Sequence, residues 1–148
     1  MKRLALAAAA VLAAMIPMTA SADEHGEKPG IVTVVSAPEP QTQLMAMVLT
    51  MQSVQQGAAA RVLLCGPAGD MALKDAPESV TAPQKPKGMS PQGLMKKIME
   101  TGTPVEVCAL YLPNKGVGPE ALLDGVTAAK PPAMAAHLLA PNTRLLTF

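Results

Sequence analysis

Apolar positions along this chain fall into short continuous runs and longer helical stripes, punctuated by proline and glycine. Ile31-Val32-Thr33-Val34-Val35 is an unbroken, β-branched-rich run, the pattern of a strand buried on both faces. Pro38 and Pro40 follow, and Pro40 suits the first position of a helix. That helix extends to about Gln56 and stops at Gly57. Arg61-Val62-Leu63-Leu64-Cys65 is a second short strand, ended by Gly66-Pro67. Between Lys74 and Gly88 the chain is rich in Pro, Lys, Ala and small polar residues. It reads as a loop long enough to be a lid, a binding loop or an interface piece.

Ser90-Pro91 supplies an N-cap followed by proline at the first helical position. Leu94, Met95, Ile98 and Met99 then share one helical face, with Lys96, Lys97 and Glu100 towards water and Gly102 as the stop. Val105-Glu106-Val107-Cys108-Ala109 is the third strand. Pro119 opens a short helix to about Asp124, Pro131-Pro132 opens another through Leu139, and Arg144 to Phe148 closes as a strand. Strands alternating with helices imply right-handed crossovers and a mostly parallel sheet. The expected architecture is therefore α/β, a small three-layer sandwich.

The first helix carries Leu44, Met45, Met47, Val48, Leu49, Met51 and Val54, which leave no clean polar face. A helix apolar nearly all round is covered on more than one side. In a domain this small the sheet covers one side, so a second subunit is expected on the other and the protein is read as a homo-oligomer.

Upstream of the first strand the pattern changes. Lys2 and Arg3 precede an apolar run from Leu4 to about Ile16, followed by Pro17 and Ala20-Ser21-Ala22. A basic start, an apolar stretch of this length and an A-x-A ending make residues 1–22 a secretory signal peptide, with cleavage expected after Ala22. A spanning helix wants about 20 apolar residues, and Pro17 and Thr19 interrupt this run too early. After cleavage no membrane segment is expected. Residues 23–29 read as a flexible lead-in, residues 30–148 as the folded domain, and a bacterial periplasm as the compartment.

Composition narrows the function. The chain has 148 residues, enough for one domain with its own core, and a formal net charge of +1. Few bases and a near-neutral balance argue against a nucleic-acid partner, which demands a basic surface. With one Tyr, one Phe and no Trp, base-stacking platforms and aromatic cages are excluded. Two His and two Cys fall short of the usual structural zinc set, so neither a metal nor an organic cofactor is expected.

Both cysteines sit at the carboxyl ends of expected parallel strands, the edge where open α/β sheets bind ligands. An exported thiol is paired, reactive or deeply buried. Three readings follow: inert core residues, a Cys65–Cys108 disulfide, or a nucleophilic Cys108 with Lys115 nearby to steady its thiolate or steer an anionic donor. Geometry separates them. Adjacent strands lie about 4.8 Å apart and next-nearest strands about 9.6 Å, whereas a bridge needs Cα atoms within about 7 Å. Strand order is not written in the residues, so the bridge stays open at this level.

The block Gly102-Thr103-Pro104-Val105-Glu106-Val107-Cys108, then Leu112, Lys115-Gly116-Val117, Leu122-Leu123-Asp124-Gly125-Val126 and the closing Arg144-Leu145-Leu146-Thr147-Phe148, resembles the DsrE/DsrF-like sulfur-relay family. The early Ile31–Val35 strand and long helix extend the resemblance across residues 30–148. It implies a three-layer α/β/α sandwich with a small mostly parallel sheet, assembly into trimers or hexamers, and a persulfide carried on the strand-end cysteine, by position Cys108. Cys65 is not part of the relay motif; if near, it would resolve the persulfide. A sulfur donor or acceptor protein is the implied partner. The relay members best understood are cytoplasmic, whereas this chain carries an export signal.

Two other readings compete. One is a non-catalytic oligomeric binding module with structural cysteines. The other is a Cu(I) site built from Met45, Met47, Met51, Met95 and Met99, against which stands the ordinary use of such a stripe as core or interface filler. His25 and His137 have no ligand partner at metal spacing. Gly66-Pro67-Ala68-Gly69-Asp70 lacks the Lys-Ser/Thr ending of a phosphate loop and reads as a turn.

Overall fold

The structure, a computed structural model, describes residues 28–148; the expected signal peptide and most of the lead-in lie outside the described residues. Five strands form one sheet: β1 (Gly30–Val35), β2 (Ala59–Leu64), β3 (Val105–Val107), β4 (Thr127–Ala128) and β5 (Thr143–Thr147). Every pairing is parallel and the spatial order is β4-β3-β2-β1-β5. The chain therefore steps outward from β1 to β4 and then returns past the sheet to lie on the far side of β1.

Right-handed crossovers place the outward and return connections on opposite faces. Helix α1 (Pro40–Gln55) packs on β1, β2 and helix α3 (Pro91–Met99), with the one-turn α2 (Glu78–Thr81) beside α3. Helix α5 (Pro131–Leu139) makes the return and packs by β5. The result is the three-layer α/β/α sandwich.

Side-chain alternation with a period of two sorts the sheet into two cores. Val35, Val62, Leu64, Val105 and Val107 face α1 and α3, where Met47, Met71, Met95 and Ile98 meet them in the main core. Val32 and Leu63 face the other way and pack with Ala129 and Met134. This second layer is thin: Met134 is the only buried residue of α5, and Leu139 and Leu145 are 83% and 55% exposed.

The α1 boundaries match the sequence expectation closely, with Pro40 at the start and Gly57 at φ 90° after the end. Helix α3 is capped as expected, Ser90 Oγ accepting from Gly93 N at 3.1 Å. Elsewhere the structure corrects the reading. Residues Gly66–Ala72 form a 3-10 segment rather than a simple turn. The expected loop 74–88 contains α2 and is pinned by isolated bridges, Leu73 to Leu122 and Gln84 to Met89. The short helix expected from Pro119 shrinks to a 3-10 turn (Pro119–Ala121). An unexpected helix, α4 (Tyr111–Lys115), follows β3, and β4 is a strand of two residues with no periodicity to announce it.

The apolar α1 is partly explained within one chain. Ala46, Met47 and Thr50 are buried, while Met45 remains 51% and Leu49 40% exposed. The methionine stripe is divided: Met47 and Met95 are fully buried core residues, Met51 and Met99 pack at its edge.

Candidate functional site

Register decides the relation between the two cysteines. Leu63 pairs with Glu106 and Leu64 with Val107, so the next position but one after Leu63 sits opposite the next but one after Glu106. Those positions are Cys65 and Cys108. The last rung between the strands is made by Cys108 N donating to Leu64 O at 2.8 Å. The Cα atoms are 5.0 Å apart and the two residues form a disulfide across 43 residues of sequence. Adjacent strands bring them within the bridging limit, as direct neighbours must. Among the described residues no cysteine is free.

Both sulfurs belong to the thinly covered face. Alternation places Cys65 on the side of Leu63 and Cys108 on the side of Glu106, and both pack at the edge of the Val32, Leu63, Ala129 and Met134 cluster. Each is half-buried. Nearer the amino ends of the strands, Arg61, four positions before Cys65, and Glu106, two before Cys108, form an ion pair on the same face. The bridge thus marks the carboxyl edge of the sheet, the same edge as the β1–β5 gap where the strand order reverses and such sheets commonly bind ligands.

Beyond the strands the two cysteine-bearing segments leave in step. Gly66 has φ 50°, a left-handed turn that a side chain would strain, and the chain enters the 3-10 segment. After Cys108, Tyr111 N donates to Cys108 O at 2.8 Å and α4 begins. The segments then meet again through side chains. Asp70 Oδ1 accepts from Tyr111 Oη at 2.6 Å and from Lys115 Nζ at 2.7 Å. The Tyr111 ring packs against Gly69, occupying the space a β-carbon would need there. Burial, and then the hydrogen bond and charge of Asp70, push the Tyr111 phenol well above its ordinary value.

Of the residues singled out from sequence, Cys65 and Cys108 are brought together. Lys115 stands on α4 in an ion pair with Asp70, its side chain 41% exposed. Sequence reasoning did not single out Asp70 and Tyr111. A signal was present for the second: it is the chain's one tyrosine, three positions after Cys108. His137 is exposed on α5 and lines a cavity of about 570 Å³ that includes Gly30, Arg61 and Thr103. Those residues lie towards the amino ends of the strands, the edge opposite the cysteines. A second cavity of about 540 Å³ runs beside α1, against Met45, Val48, Met51 and Met89. Among the described residues no group of His, Cys, Asp and Glu is placed to hold a metal ion, and no helix is long and apolar enough to cross a membrane.

Comparison with solved structures gives the fold a precedent. The crystal structure of the YchN protein from Escherichia coli superposes with a TM-score of 0.59 at 21% identity, covering 82% of this chain and all (100%) of that one. The protein of unknown function MTH1491 from Methanobacterium thermoautotrophicum superposes at 0.58 and 9% identity over the same shares, 82% and 100%. Both have the DsrE/DsrF-like fold. This chain has that fold too. At these identities the likeness concerns architecture: no protein-family model matches the chain, and no curated protein matches it by sequence. The three-layer α/β/α architecture expected from the sequence is the one observed.

Proposed function

We propose that this DsrE-like protein is an exported sulfur carrier that works through the Cys65–Cys108 pair. The observation that carries the reading is the placement of two half-buried cysteines in register at the carboxyl ends of adjacent strands. In the dithiol form, the Cys108 thiolate attacks the outer sulfur of a persulfide donor. The donor's S–S bond breaks, its thiolate leaves, and Cys108 holds the sulfur as a persulfide. An acceptor thiolate then takes that outer sulfur and returns Cys108 to the thiolate. Alternatively, Cys65 attacks Cys108 Sγ, hydrosulfide leaves, and the disulfide closes. Reopening the bridge takes two electrons from a dithiol reductant.

The partners are a sulfur donor or acceptor protein and further copies of this chain. Half-exposed Met45 and Leu49 on α1 support a homo-oligomer, a trimer or hexamer by the DsrE/DsrF resemblance. Export to a periplasm rests on the basic, apolar and A-x-A pattern of residues 1–22. Lys115, exposed at the same edge, would steer an anionic donor towards the pair from its ion pair with Asp70.

The test is mass spectrometry of reduced protein exposed to a low-molecular-weight persulfide. Gain of one sulfur atom, lost in Cys108→Ser but retained in Cys65→Ser, supports the carrier. No gain in any form, together with no labelling of either thiol under native reduction, leaves the second reading: a binding module whose disulfide is structural. Packing of both cysteines against an aliphatic cluster favours that second reading.

A further inference from the structure

The disulfide has a non-covalent companion. Five positions after Cys65, Asp70 receives two hydrogen bonds through one oxygen, from Tyr111 Oη at 2.6 Å and Lys115 Nζ at 2.7 Å. Both donors belong to the segment that follows Cys108. The same two stretches of chain are thus tied twice, once through sulfur and once through a carboxylate. Tyr111 is 7% exposed and seated on Gly69, so its hydroxyl is held by packing as well as by the bond. Bonds to an ionised acceptor from a buried donor are among the stronger ones a protein makes.

Two ties between the same segments support each other. Each lowers the entropy cost of forming the other, and the coupling is reciprocal. We infer that Asp70, with Tyr111 as its donor, is a positioning residue for the cysteine pair: it holds the two strand-end loops together when the bridge is open. The dithiol then stays preorganised, the sulfurs keep a high effective concentration, and reclosure is favoured. The inference builds on the sulfur-carrier reading, in which the pair opens and closes, and gives that cycle a fixed frame. Neither residue touches a reacting atom; both act through the spacing of the thiols.

The experiment is a redox equilibrium of the full-length folded protein in glutathione buffers, with the dithiol fraction read by alkylation and mass. No sulfur donor is present, so the result stands apart from whether Cys108 carries sulfur. Asp70→Ala and Tyr111→Phe are each expected to shift the equilibrium towards the dithiol by about tenfold, which corresponds to about 30 mV for a two-electron couple. The double variant shifts no further than the larger single change, because Asp70→Ala already removes the bond that Tyr111→Phe removes, together with that from Lys115. Asp70→Asn, which keeps an acceptor but loses the charge, recovers part of the difference. Thr50→Val serves as a control: it disturbs a buried hydrogen bond on the α1 side and is expected to lower stability while leaving the redox equilibrium unmoved. Single variants within about twofold of the natural protein, singles that simply add, or an equal shift in Thr50→Val would each overturn the inference. Persulfide loading by the mass assay above then reports separately on the carrier reading.

Discussion

Opening the Cys65–Cys108 bridge is expected to cost the fold heavily, and the size follows from its place in the chain. The bridge closes a loop of 43 residues that contains the 3-10 segment, α2 and α3. In the chain-entropy account, tying the ends of such a loop removes about 4 kcal/mol of disorder from the unfolded state. Little of that is offset in the folded state. The β2–β3 rungs, the Cys108-to-Leu64 hydrogen bond and the Asp70 contacts all hold the loop ends together without sulfur. The assay is urea unfolding followed by far-UV circular dichroism, with and without a dithiol reductant. At a slope of about 2 kcal/mol per molar urea, the midpoint is expected to fall by about 2 M on reduction. The double variant Cys65→Ala/Cys108→Ala should unfold near the reduced protein and ignore the reductant. Oxidised and reduced transitions that coincide within about 0.3 M would refute the reasoning, because a loop this long cannot be closed covalently without reducing unfolded-state entropy.

Three further outcomes are expected. The phenol of Tyr111 is raised above its ordinary value of 10.0 by burial and by Asp70, so the folded state holds that proton more tightly than the unfolded one. Its contribution to stability is complete below about pH 10 and is lost as pH rises beyond it; absorbance titration of this single tyrosine, in a chain without tryptophan, should show no ionisation at the ordinary value while the fold persists. Thr33 and Thr50, both fully buried, share a hydrogen bond of 2.7 Å between β1 and α1. Thr50→Val orphans the Thr33 hydroxyl and should cost about 1–3 kcal/mol in urea unfolding, whereas Thr33→Val/Thr50→Val should recover much of that loss. Finally, Met45→Glu/Leu49→Glu on the exposed side of α1 should convert an oligomer to monomers by light scattering with little change in monomer stability; an unchanged mass would remove this face from the assembly.

Much of the architecture was legible along the chain because its cues are local. A β-branched run at Ile31–Val35, proline and glycine bracketing α1, and Ser90 capping α3 each act within a turn or two of backbone, where sequence neighbours are also spatial neighbours. Alternating strands and helices likewise carry the parallel sheet, since the handedness of each crossover is set by chain chirality. Short elements escaped for the same reason. Helix α4 spans five residues with Pro113 inside it, and it stands where Tyr111 anchors on Gly69 and Asp70, some forty positions upstream. β4 has two residues, too few for any period, and exists because β3 offers it an edge.

The cysteine pair divides the same way. Residue type and position placed both sulfurs at strand ends, and therefore at one edge of the sheet. Whether they touch depended on which strands are neighbours, and that order is a property of the packed whole: a separation of one strand allows a bridge, and two strands forbid it. Asp70 was invisible for a kindred reason. A lone carboxylate in an apolar turn has no sequence partner, and only the convergence of two loops brought it under Tyr111 and Lys115.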